Sequence, residues 1–174
     1  MNGRRKGARA ELEVAGIISE WWKRLEMTAR FVRMPLSGGW GERGAREGFK
    51  ASGDLGTTAE RFPFTVEVKR REGWNRERFF AGKASPVWAW WRQAQSQAVE
   101  ANAEPMLWLR HNGDKEWVVV VREEYANKIR LKPEWHNKWD AWPARSGWKP
   151  FAFGHLLLVG LDPAQFALEA ATKG

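Results

Sequence analysis

The run Phe64-Thr-Val-Glu67-Val-Lys69 constrains the fold of this chain more than any other segment. Its alternation of apolar and polar residues is that of an extended strand, in which side chains two apart share a face. Phe64, Val66 and Val68 are therefore expected in a core, with Thr65, Glu67 and Lys69 on the opposite side. One face is structural and the other chemical. Upstream, Asp54 is expected to begin a short strand that turns near Thr58 to Arg61 and runs back as Phe62 to Lys69. Such a hairpin brings the two carboxylates together at its base. A magnesium ion takes oxygen ligands, commonly one or two carboxylates completed by water and phosphate. Asp54 and Glu67 supply such a pair, and Lys69 suits a group that holds an attacking water or offsets phosphate charge. Taken alone, Glu-x-Lys is also the pattern of a solvated strand face, so the rest of the chain has to decide.

The 29 Lys and Arg against 21 Asp and Glu leave a formal charge of +8, which makes polyanions the natural partners. Nucleic acid fits better than a membrane, because no apolar run approaches the roughly 18 residues of a spanning helix. The N-terminus Met-Asn-Gly-Arg-Arg-Lys-Gly leads into charged residues rather than the apolar segment of a signal peptide, so the cytoplasm is the expected compartment. Absence of cysteine excludes disulfides, thiolate zinc sites and a cysteine nucleophile. The three histidines, His111, His136 and His155, are too scattered to suggest a histidine metal cluster. No small-molecule cofactor is expected. At 174 residues and 43% hydrophobic composition, one domain with one good core is expected over 1–174, its core at about 4–122 and a tryptophan-rich extension at about 123–174. Thirteen tryptophans suggest generous aromatic packing, with stacking on bases also open to them.

Along the chain, Ala8 to about Leu25 has the pattern of a helix, with Glu11, Ala15, Ile18 and Trp22 on one stripe. Glu11 thus falls in line with apolar residues, as a functional group or as an acid favoured near a helix start. Glu13, Glu20 and Arg24 read as ordinary solvated charges. Thr28 to Met34 reads as a strand, followed by a glycine-rich basic loop that runs to Gly53 and carries Ser37, Arg43, Arg46 and Lys50. After the Glu67 strand, a basic segment opens with Arg70-Arg71, and a second helix starts near Pro86 with Val87, Trp91, Ala94, Ala98 and Ala101 as its apolar stripe. Gln93 and Gln97 flank that stripe, as exposed residues or as hydrogen-bond partners, donating to a substrate phosphate or accepting from the site lysine. Met106 to Arg110 and Glu116 to Val121 are expected to pair as a hairpin across His111-Asn-Gly-Asp114. Beyond Arg122 a short helix with Trp135, Trp139 and Trp142 on one side, a strand from His155 to Leu161 and a terminal helix from Asp162-Pro163 are expected.

Lys6-Gly-Ala-Arg-Ala-Glu11, Arg33-Met-Pro-Leu-Ser-Gly-Gly39, Asp54, Glu67-Val-Lys69 and Glu104-Pro-Met-Leu-Trp-Leu109 follow one another over about residues 4 to 110. In that order they resemble the archaeal-type Holliday junction resolvases of the PD-(D/E)xK nuclease superfamily. The acidic pair with lysine is a weak motif by itself; the Arg-x-Pro-x-Ser-Gly-Gly loop between helix and aspartate is more specific. The resemblance implies an α/β, restriction-endonuclease-like core, a central mixed β-sheet flanked by helices. It implies a Mg²⁺-dependent endonuclease, with Mn²⁺ as substitute, that resolves four-way junctions by paired symmetric nicks and acts as a homodimer on branched DNA. By matching position, Asp54 and Glu67 resemble the metal ligands, Glu11 the helix glutamate that completes the metal site, Ser37 the loop serine important for cleavage, Lys69 the catalytic lysine, and Arg33 an arginine beside the loop. Contacts to DNA phosphates are expected from Arg4, Arg5, Lys6, Arg33, Arg43, Arg46, Lys50, Arg70, Arg71, Gln93 and Gln97. A phage origin would place the protein in the host cytoplasm. The departures are Gly53, where proline commonly precedes the aspartate, a long stretch from Gly73 to Ser85, and a tail beyond about residue 122 without counterpart. Two alternatives stand beside this one: a less structure-selective phage or restriction-type nuclease of the same superfamily, and a basic DNA-binding module whose acids are structural.

Overall fold

The computed structural model describes residues 3–24, 28–34, 48–60, 62–80, 83–122, 149–153 and 156–160. Helix α1 (Gly3–Arg24) buries Ala10, Val14, Ile18 and Trp22, which recur every four residues, with Ala15 beside them. Ala15, Ile18 and Trp22 of the expected stripe are thus buried, Ala10 and Val14 widen it, and Glu11 lies half-buried at its margin. The helix also starts earlier than the expected Ala8, so Arg4, Arg5 and Lys6 belong to its first turn.

Three short strands follow: β1 (Phe31–Arg33), β2 (Lys50–Ser52) and β3 (Leu55–Thr57), antiparallel in the order β1-β3-β2. Next come β4 (Phe64–Arg70), α2 (Arg76–Phe80) and α3 (Val87–Glu100), then β5 (Glu104–Arg110), β6 (Trp117–Val121), β7 (Lys149–Phe153) and β8 (Leu156–Gly160). These strands make a second, mixed sheet in the order β4-β5-β6-β8-β7. β4 and β5 are parallel, with α3 as their crossover, while β5 and β6 form the expected antiparallel hairpin. Gly113 in its turn has φ 95°, a left-handed conformation that glycine adopts without strain. β8 pairs parallel to β6 and antiparallel to β7, so these two strands extend the central sheet. The expected tryptophan-striped helix, the terminal helix and His155 lie outside the described residues.

The central sheet is covered on both faces, and the strand alternation sorts its side chains between two cores. On one side Phe64, Val66, Val68, Met106, Trp108, Trp117, Val119 and Val121 pack with the α1 stripe. On the other, Leu107, Leu109, Val118 and Val120 pack with Trp74 and Phe79 around α2 and with Val87, Trp91 and Ala94 of α3. Each fully buried large side chain contributes about 1.5–3 kcal/mol, so both helical layers are firmly held. The start of α3 and four of its five expected core residues agree with the sequence pattern; Ala101 instead caps the helix and is exposed. Helix α2 was not anticipated from its basic composition, although Asn75 is a good helix cap and its Oδ1 accepts from the Arg78 N–H at 2.8 Å.

Glu13 also departs from expectation. It receives both Arg110 Nη1 and Nη2 at 2.5 Å and Trp117 Nε1 at 3.1 Å, tying α1 to β5 and β6. Arg110 is 6% exposed and its guanidinium also lies 4.2 Å from the centre of the Trp117 ring. Burial pushes the Glu13 carboxyl up, but the hydrogen bonds from Arg110 and Trp117 outweigh it and hold the group below the usual range.

Candidate active site at the edge of the central sheet

Asp54 does not reach Glu67 through the expected hairpin. Its partner strands are elsewhere: β3 pairs with β1 and β2, and Gly53-Asp54 forms the two-residue turn between β2 and β3. Gly53 has φ 70°, in the first turn position where a two-residue hairpin favours glycine. It also lets the turn press against β4, because a Cβ at Gly53 would stand 2.5 Å from the Val66 carbonyl oxygen. Proline, fixed near φ −65°, could not adopt this conformation. The Asp54 N–H then donates to Val66 O at 2.8 Å, and the Val68 N–H donates to Asp54 Oδ2 at 2.8 Å. β4 is the end strand of its sheet, and Asp54 occupies backbone groups that an edge strand otherwise leaves open. The aspartate is thus brought to Glu67 by the edge of β4 itself.

Glu67 is only 2% exposed and lies on the α3 side of β4. Thr65 is buried there too, so this face is not the open one that the alternation suggested. Lys69 Nζ and Gln93 Nε2 both donate to Glu67 Oε1, the latter at 3.1 Å. Among the described residues no hydrogen-bond donor lies on Glu67 Oε2 or Asp54 Oδ1. Among the described residues, each carboxylate thus has one oxygen held by the protein and one without a donor. Glu11 approaches from α1 and is paired with Arg33 Nε of β1.

The acids sense one another. Burial pushes the Asp54 carboxyl up to about 7 from 3.8, and the charges of Glu67 and Glu11 add to the rise; the Val68 N–H and Lys69 act against it. A buried anionic cluster of this kind is what a cation relieves, and an all-oxygen donor set suits Mg²⁺ or Mn²⁺ rather than zinc. Among the described residues, no three His, Asp or Glu side chains group closely enough to enclose an ion by themselves. Asp54 and Glu67 fit a cation that completes its shell with water and phosphate.

The remaining expected site residues divide three ways. Lys6 Nζ lies 3.5 Å from Glu72 Oε1, which brings the first turn of α1 beside the end of β4, where Arg70 is half-buried and Arg71 exposed. Two basic segments far apart in sequence are joined there by the Lys6–Glu72 pair, and Arg5 is exposed on the same helical turn as Lys6. Basic residues in a first helical turn oppose the helix dipole, a placement that a bound phosphate would offset. Lys50 is exposed on β2 and donates to Glu60 O at 3.2 Å. Arg33 Nε and Gln93 Nε2 are engaged with Glu11 and Glu67, and the Gln97 Oε1 is buried with no partner among the described residues. Ser37, Arg43 and Arg46 lie outside the described residues, as does the side chain of Arg4. Met34, three residues before Ser37, donates its N–H to Asp54 O at 2.8 Å, so the entry to that loop is anchored on the site.

The arrangement of Asp54, Glu67 and Lys69 is that of a group able to hold a divalent cation and a phosphate together. A family model described as phage putative PDDEXK endonuclease matches residues 2–141, a span that includes Glu11, Asp54, Glu67 and Lys69 and ends ahead of β7. No curated protein and no solved structure matches the chain.

Proposed function

The chain belongs to the phage putative PDDEXK endonuclease family, and on that footing we propose that it hydrolyses DNA phosphodiesters with Mg²⁺, preferring four-way junctions. The observation that supports the chemistry most is the pair of carboxylates at the β4 edge, each with one oxygen restrained and, among the described residues, one without a donor, beside a lysine. Asp54 and Glu67 would hold the ion, with Glu11 bound directly or through water. Bound Mg²⁺ supplies Lewis-acid activation and charge neutralisation at the scissile phosphate.

Lys69 shifts from Glu67 toward the attacking water and orients it in line with the leaving oxygen. The water oxygen forms the new bond to phosphorus, the bond to the leaving oxygen breaks, and the water's proton passes to solvent or to the leaving group. No covalent enzyme intermediate is needed. Arg5, Lys6, Arg70 and Arg71 hold flanking phosphates, which makes affinity fall with salt.

The junction preference rests on the resemblance of the Arg33 to Gly39 segment to the resolvases. A four-way junction presents several backbones at once to the basic surface of such a protein. Paired symmetric nicks require two sites related by a two-fold axis, hence a homodimer. The family's description names an endonuclease without naming branched DNA, which favours a general phage nuclease as the second reading. Single-turnover cleavage of a four-way junction, compared with a linear duplex carrying one arm's sequence, separates the two. Paired nicks in the junction with little duplex cleavage support resolution; equal rates leave the general nuclease.

A further inference from the structure

Two donors crowd one oxygen of Glu67, and from this we propose that Gln93 is a positioning residue, fixing which Glu67 oxygen faces the divalent cation. The inference rests on the metal-dependent reading above. A glutamate's terminal torsion is broad and roughly two-fold, so a carboxylate held by one donor can turn and exchange its oxygens. Glu67 is held at Oε1 by Lys69 Nζ and by Gln93 Nε2. Lys69 is also the residue expected to move toward water and phosphate during the reaction. When it does, Gln93 is the donor that remains on Oε1, and Oε2 stays turned toward the ion.

The chemistry of the amide suits this task. Gln93 is neutral, so it orients Glu67 without cancelling the charge that attracts the cation, as an arginine or lysine at this position would. It comes from α3, whose Val87, Trp91 and Ala94 are packed into the core, so the donor stands on a rigid element although its own side chain is largely exposed. The contact replaces the phosphate-binding role that its place beside the apolar stripe suggested. Partners that orient a metal ligand commonly change metal affinity 10- to 100-fold when removed.

The test uses the full chain and two readouts: calorimetric titration of DNA-free protein with Mn²⁺, and junction cleavage across a range of Mg²⁺. Gln93→Ala should weaken Mn²⁺ binding about 10-fold and raise the Mg²⁺ needed for half-maximal cleavage by a similar factor. The rate at saturating Mg²⁺ should stay within about threefold of wild type, a split expected of a residue that acts on ligand binding. DNA affinity measured without metal should not change. Gln95→Ala, on the same helix and exposed, should match wild type throughout. If Gln93→Ala does not fold, Gln93→Met keeps the length and helix propensity while removing the N–H, and the same shifts are expected. Wild-type Mn²⁺ affinity in the variant overturns the proposal, and so does a loss of metal-free DNA affinity, which would make Gln93 a phosphate contact. If wild-type protein itself neither binds Mn²⁺ nor cuts DNA, the failure lies in the metal-dependent reading.

Discussion

Val68 donates its backbone N–H to Asp54 Oδ2 at 2.8 Å, and this bond joins the turn between β2 and β3 to the strand that carries Glu67 and Lys69. Asparagine can accept the same bond while losing the charge. Asp54→Asn should therefore keep the site's shape and lower single-turnover cleavage on the order of 10³-fold. Metal-free DNA affinity should be unchanged or slightly tighter, since one anion facing phosphate is gone. Paired cleavage and equilibrium binding assays check both halves.

The elevated Asp54 carboxyl makes metal-free stability depend on pH with a definite sign. Between 3.8 and about 7 the folded protein keeps a proton that the unfolded chain has released, so stability falls as pH rises through that window. Asp54 accounts for a loss on the order of 4 kcal/mol across it. The thermal midpoint of wild type in chelator should drop from pH 5 to pH 7.5 more steeply than that of Asp54→Asn, and Mg²⁺ should recover part of the difference at the higher pH. Parallel pH curves for the two proteins would rule out the elevated carboxyl.

Gly53 is required both for its φ of 70° and for the space its missing Cβ leaves beside Val66 O. Gly53→Ala should cost at least about 2 kcal/mol, from left-handed backbone strain and a backbone clash, and should displace Asp54. Thermal melts and cleavage by the folded fraction should both fall.

Glu11 and Glu13 sit on the same helix and should fail differently. Glu11→Gln should reduce cleavage by at least about 10²-fold with little change in stability, as expected where one charge of the site is removed. Glu13→Gln should leave cleavage per folded molecule near wild type but lower stability by about 1–2 kcal/mol, discounted because Glu13 is 41% exposed while Arg110 is buried. Melting curves beside cleavage rates distinguish the two.

Elements with a clean period were legible in the sequence: the apolar stripe of α3, the β5–β6 hairpin and the alternation of β4 all stand where the pattern put them. What failed was pairing across distance. Nothing local to Asp54 shows that its turn belongs to β2 and β3 and meets β4 only at an edge, because that contact depends on a glycine's missing side chain. Likewise Glu13 reads as a surface charge until β5 and β6 bring Arg110 and Trp117 to it, 97 and 104 positions away. Gln93 was singled out by its place on α3, but its partner is set by how the crossover helix lies on β4.

The most direct measurement is cleavage of a labelled four-way junction by wild type and Lys69→Ala, each with Mg²⁺ and with chelator. Wild type with Mg²⁺ should cut, chelator should stop it, and Lys69→Ala should bind the junction normally while cutting it on the order of 10²-fold or more slowly. Metal-independent cutting, or an Lys69→Ala rate equal to wild type, would contradict a metal-dependent active site at the β4 edge.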